Sequence, residues 1–152
     1  MVNLSGNGCS RREHPYFSEL FNGNQAKKMI EFLASPDPSP YPFSPAVRVG
    51  NLLYVSGQVG MQKETGILAP GGVEAETRQA LENMRAILER SGSSMERVVK
   101  CTVMLTNIND FPKMNAVYAR FFPGPKPARS TFGVAGLFGG PVVEIECIAE
   151  VG

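Results

Sequence analysis

Residues 97–122 read RVVKCTVMLTNINDFPKMNAVYARFF, and the apolar period changes once within them. The first ten alternate, placing Val99, Cys101, Val103 and Leu105 on one side of a strand. Asp110 is then a good N-cap and Pro112 sits in the first turn behind Phe111. Met114, Val117, Tyr118, Phe121 and Phe122 follow at helical spacing. A strand feeding straight into an amphipathic helix asks for a sheet with helices packed on it, and the flanking sequence supplies the other pieces.

Upstream, VRVGNLLYVSGQV at 47–59 reads as two strands joined by a tight turn at Gly50-Asn51. Gly71-Gly72 end a loop, and over 74–90 the residues Ala80, Leu81, Met84, Ile87 and Leu88 form one apolar helical stripe. Glu74 and Glu76 near its start suit the helix dipole, and Ser91-Gly92 stop it. Downstream of a Pro-Gly turn, 129–134 and 142–151 read as closing strands. In the last of them Val143, Ile145, Cys147 and Ala149 share one face, while Glu144, Glu146 and Glu150 lie on the other with Val142 and Ile148. The order β-β-α-β-α-β-β predicts an α+β domain with two helices on one face of a mixed sheet. Val98, Met104, Phe132, Val142 and Ile148 are left for the uncovered face, and self-association is the economical way to hide them.

The whole chain has 152 residues, one domain's worth, with 43% hydrophobic and 19% charged residues and a net charge of +1. That composition excludes global disorder, and the near-neutral charge without a basic block argues against nonspecific nucleic-acid binding. No apolar run approaches the length of a membrane span. His14 is the only histidine, which removes a Ser-His-Asp triad, a histidine-rich zinc site and a histidine base in the main body. Cys9, Cys101 and Cys147 show no C-x-x-C spacing and read as reduced thiols of an intracellular, cytoplasmic protein. A mitochondrial presequence is the alternative; Glu13, Glu19, Glu31 and Asp37 argue against it. The proline-rich run SPDPSPYPFSP at 35–45 is a rigid connector, dividing an N-terminal extension with its linker (1–38) from the main domain (39–152). Within the extension, 24–34 is compatible with a short helix carrying Met29, Ile30 and Leu33.

Two residue types on the closing strands are able to do chemistry. Glu144 and Glu146 share a face, which on an isolated strand reads first as a solvated edge. Arg129 begins the neighbouring run and would meet a glutamate across the ladder. Such a pair is either a structural ion pair or an anion clamp, in which the guanidinium grips a small carboxylate beside a proton-carrying carboxylate. Periodicity leaves the choice open, because the register across 135–141 is not fixed by a two-residue turn.

YVSGQVG at 54–60, TRQALENMRAILERSGSS at 77–94, VVKCTVMLTNINDFPKMNAVY at 98–118, PARST at 127–131 and VEIECIAEV at 143–151 together resemble the reactive intermediate deaminase family, RidA/YjgF, also labelled L-PSP endoribonuclease. The resemblance runs from about residue 39 to the end. It implies a chorismate-mutase-like subunit assembled as a homotrimeric barrel with clefts between subunits. The implied activity is hydrolysis of enamines and imines of the 2-aminoacrylate and 2-iminopropionate type to 2-keto acids and ammonia, with no metal or cofactor. Residue by residue, it implies that Arg129 binds the substrate carboxylate and that Glu144 orients or activates water. Ser56 and Gly57 would line the cleft and Asn115 would stand near its mouth. Where the family reads G-P-Y-S-Q-A, this chain has Tyr41-Pro42-Phe43-Ser44-Pro45-Ala46, so Phe43 walls the pocket without a hydroxyl. Thr131 stands where cysteine is frequent. A single-stranded-RNA endoribonuclease and a non-catalytic, small-acid-binding or chaperone-like trimer are the competing readings. The first lacks a basic stripe and a histidine pair; the second is kept open by Phe43.

Overall fold

The computed structural model describes residues 30–35 and 41–152. Eight elements follow one another: β1 (Ile30–Leu33), β2 (Ala46–Val49), β3 (Leu52–Val59), α1 (Gly72–Arg90), β4 (Val98–Leu105), α2 (Phe111–Phe121), β5 (Ala128–Gly133) and β6 (Val143–Glu150). They form one six-stranded sheet in the order β1-β2-β3-β6-β4-β5. β4 and β5 run parallel, and every other neighbouring pair is antiparallel. α2 is therefore the crossover of a β-α-β unit. α1 links β3 to β4 with β6 inserted between them, a split version of the same unit.

Both helical stripes and one face of the last strand enter a common core. Ala80, Leu81, Met84, Ile87 and Leu88 of α1, Met114, Val117, Tyr118 and Phe121 of α2, and Phe122 just beyond it, pack onto Val143, Ile145, Cys147 and Ala149 of β6. Each large aliphatic side chain removed from water here contributes about 1.5–3 kcal/mol. Among the described residues no helix covers the opposite face, and Tyr54, Val99 and Phe132 stand 44%, 48% and 45% exposed upon it.

The structure corrects four expectations. Val99 does not share a face with Cys101. The β4–β6 register shifts between Val98 and Lys100, so Val98 turns into the core and Val99 out of it. Strands β5 and β6 do not form a hairpin, because β6 lies between β3 and β4 and β5 pairs with β4 alone. Residues 30–33 of the expected helix form β1, an edge strand paired with β2 through Phe32↔Val47, so the sheet begins ahead of residue 39; the rest of that helix, residues 24–29, lies outside the described residues. Asp110 precedes α2 without a side-chain cap, whereas Asn107 caps the short turn before it by accepting from the Asn109 N–H at 3.1 Å.

Two polar side chains of α1 clamp the sheet end. Asn83 donates to the carbonyls of Val59 (3.1 Å) and Met61 (2.8 Å). Glu76, only 6% exposed, accepts from the Val142 N–H at 2.8 Å and fixes where β6 begins. Glu76→Ala would leave that amide without its partner and should cost about 1–3 kcal/mol in urea unfolding, with Glu76→Gln recovering part of it.

Candidate active site

α2 presents Phe111, Asn115 and Tyr118 at i, i+4 and i+7, one stripe facing the β5 edge. Arg129 of β5 reaches into it. One guanidinium nitrogen donates to Asn115 Oδ1 at 2.8 Å, and the guanidinium carbon stands 4.5 Å from the Tyr118 ring centre and 5.4 Å from that of Phe111. One amide and two rings thus hold the cation in place while further N–H groups stay available, since a guanidinium has five. Thr131, two residues on and on the same face, has a buried hydroxyl with no hydrogen-bond partner among the described residues. An orphaned polar atom beside a fixed cation is what a site for a polar ligand or water requires.

Glu144 belongs to a second cluster. A bulge in β3 between Val55 and Gln58 carries Ser56 and Gly57. Ser56 donates to Ser44 O at 2.7 Å and its N–H to Pro45 O at 3.0 Å, fastening the segment that bears Phe43 to the bulge. The Glu144 carboxylate lies directly over the Gly57 Cα, so a side chain at 57 would have to push the carboxylate out of this position. Burial, and then the charge of Glu146, raise the Glu144 carboxyl above the ordinary carboxylate range.

The two clusters do not meet within one chain. Arg129 is level with Cys101, whose side chain is in the core, while Glu144 is level with Met104 on the face without helices. With β4 between them, a lateral step of about 10 Å adds to a similar offset along the strands. The sequence-based contact across the ladder is therefore absent, because it required β5 and β6 to be neighbours. Arg129, Asn115 and Thr131 gather on one side; Glu144 lies with Ser56 and Gly57 on the other, and Phe43 belongs to the segment that Ser56 fastens there. Sequence reasoning missed Phe111 and Tyr118 as supports of Arg129, although their spacing to Asn115 was visible. Burial raises the thiols of Cys101 and Cys147, which keeps them out of nucleophilic chemistry. No group of three or more His, Cys, Asp or Glu residues able to hold a metal exists among the described residues.

Two helices on one face of a mixed six-stranded sheet, with an arginine held at the sheet edge and a raised carboxylate over a glycine bulge, define an α+β fold class. The model of the family Endoribonuclease L-PSP matches residues 34–151, and the chain belongs to that family. The mouse 2-iminobutanoate/2-iminopropanoate deaminase is 47% identical over 111 residues, covering 73% of this chain and 82% of that protein. Reactive Intermediate Deaminase A, chloroplastic, of Arabidopsis thaliana is 40% identical over 142 residues, 93% and 76% of the two chains. Among solved structures, a putative endoribonuclease L-PSP from Entamoeba histolytica superposes with a TM-score of 0.76 at 39% identity, covering 80% of this chain and 99% of the other. The E. coli YjgF gene product gives 0.72 at 36% identity, covering 78% and 96%.

Because the folded protein disfavours ionised Glu144, the stability linked to this group is complete below the unfolded pKa and is lost as pH rises through the higher folded value. Glu144→Gln should therefore melt above the wild type at pH 7. The gap should close as pH falls below the ordinary value of 4.5, as read by thermal unfolding at a series of pH values.

Proposed function

We propose that this protein hydrolyses 2-imino and 2-enamino acids to 2-keto acids and ammonia, in clefts completed by a second copy of the chain. The observation that carries the reading is the fixed Arg129 guanidinium beside the unpartnered Thr131 hydroxyl. It is supported by relatives, 45% to 48% identical, that carry the name 2-iminobutanoate/2-iminopropanoate deaminase.

The chemistry asks for few groups. Arg129 takes the substrate carboxylate through its free N–H groups, and the Thr131 hydroxyl bonds to the substrate or to water. An enamine first gains a proton at its β-carbon and loses one from nitrogen, giving the imine. Water then adds to the α-carbon; its oxygen becomes the keto oxygen, and nitrogen leaves with the protons as ammonia. Glu144 relays these protons, and its raised pKa brings it closer to working pH. Since Glu144 and Arg129 face opposite sides of one sheet, a Glu144 from a neighbouring subunit completes each cleft. A homotrimer with the helix-free faces turned inward does this three times and covers Tyr54, Val99 and Phe132.

No helix among the described residues is long and apolar enough to cross a membrane. We place the protein in the cytoplasm, where Cys101 and Cys147 stay as free thiols. The Arabidopsis relative's name carries the word chloroplastic, and the mass of the mature chain from its own cells decides between cytoplasm and organelle.

Arg129→Ala should lower kcat/KM for 2-aminoacrylate roughly 10²-fold, measured as keto-acid release, while light scattering still reports a trimer. Equal rates, or a monomer in the wild type, would overturn the assignment. Arg129→Lys should recover little, because an ammonium does not reproduce the fork. Glu146→Gln removes a charge that raises the Glu144 pKa, so the acid limb of the pH–rate profile should move to lower pH.

A further inference from the structure

Three aromatic rings stand together outside the core. Tyr41 and Phe43 stack with centroids 6.0 Å apart and planes 13° from parallel. Phe138, nearly a hundred residues later in the chain, meets Tyr41 edge-on at 5.9 Å and 79°. They are 51%, 60% and 85% exposed. Isolated exposed apolar residues are ordinary, but three that gather from two distant segments mark a contact surface.

Their placement says which contact. The segment carrying Tyr41 and Phe43 is fastened to the β3 bulge through Ser56, the neighbour of Gly57 over which Glu144 lies. Phe138 is the second residue of a hydrogen-bonded turn in which the Gly140 N–H donates to Leu137 O at 3.2 Å. Gly139 and Gly140 both take positive φ, 85° and 83°. That turn leads into Val142, clamped by Glu76, and so into β6 at Glu144. Both segments are thus anchored at the sheet end that bears the carboxylate. The backbone presents Phe138 outward at a position where a polar residue would serve the turn equally well.

Of the three rings only Tyr41 carries a hydroxyl, so the wall they form is largely apolar. A methyl or ethyl side chain would cover little of three rings. A benzyl or indolyl-methyl side chain offers a flat face to the stacked pair and an edge to Phe138, the two geometries aromatic groups favour.

We infer that Tyr41 and Phe138 extend the Phe43 wall into a specificity pocket for the side chain of the substrate. The preferred substrates are then imines of aromatic 2-amino acids. The inference rests on the deaminase reading and deepens it: Arg129 fixes the carboxylate of any 2-imino acid, and the ring cluster selects among them by side chain.

The test uses the full-length protein, with imines made in place from L-phenylalanine and L-alanine by a flavin L-amino-acid oxidase in competition with semicarbazide. The wild type should show the larger kcat/KM for the phenyl imine. In Tyr41→Gly and in Phe138→Ala the phenyl-to-methyl ratio should fall about tenfold, through the KM of the phenyl imine, with Phe138→Leu between them. An unchanged ratio in both variants, or a wild type that favours the methyl imine, overturns the inference. So does loss of the native oligomer in either variant by light scattering, which would make the rings a subunit contact. If neither imine is turned over, the deaminase reading falls, and titration with phenylpyruvate and pyruvate then decides the pocket alone. Tighter phenylpyruvate binding that weakens in both variants sustains it, and equal binding of the two keto acids ends it.

Discussion

The insertion of β6 between β3 and β4 is the constraint on which this molecule depends. It makes β6 the centre of the sheet and buries Val143, Ile145, Cys147 and Ala149 beneath both helices. It also pushes β5 to an edge that only β4 holds. From that edge Arg129 can reach under α2, and from the central strand Glu144 can lie on the far face over the Gly57 bulge. A β5–β6 hairpin would have neutralised the same two residues against each other across a ladder, leaving an ion pair and no clamp. On the proposed reading, separation keeps the guanidinium available for an outside carboxylate, while burial lifts the glutamate.

Much of this was legible in the sequence, and the misses share one physical origin. The stripes of α1 and α2 and the inward face of β6 followed from period alone, because each is buried on one side and solvated or uncovered on the other. Period fails where the backbone departs from it. The shift at Val98/Lys100 exchanges Val98 with Val99, and nothing in RVVK announces the extra residue. Residues 30–33 carry apolar spacing compatible with either a short helix or a strand, and the choice belongs to the β2 edge, which lies beyond the proline-rich run. The partner of β6 was equally illegible, since strand order in a sheet is a tertiary property and no tight turn joins β5 to β6.

For the candidate site, residue types were readable and their meeting was not. Arg129 and Glu144 stood out from the strand pattern as a possible ion pair or clamp, and Ser56, Gly57, Asn115 and Thr131 came from motif resemblance; periodicity within single strands could not say which of them meet. The supports were hidden for another reason. Tyr118 looks like a core residue, and it is one: burial raises its hydroxyl, with the Cys101 thiol as a further cause. Yet its ring also lies under the guanidinium. One side chain does both jobs because an aromatic ring has an edge to pack and a face to offer a cation.

Two residue clusters on opposite faces of one sheet also bear on the endoribonuclease label of the family. A nuclease on this frame would need an acid and a base beside a phosphate, and the two clusters offer Arg129 with an amide and two rings on one face and Glu144, with Glu146 two residues on, on the other. His14, the one imidazole in the chain, lies outside the described residues, and the net charge of +1 gives no field to draw in a polyanion. A small 2-imino acid makes a lighter demand: one cation for its carboxylate, one proton relay and a wall for its side chain. On the proposed reading a single copy of the chain holds all three, but divided between its faces. Catalysis is then tied to assembly, because a monomer could bind a carboxylate at Arg129 and yet have no Glu144 within reach of the carbon that water must attack.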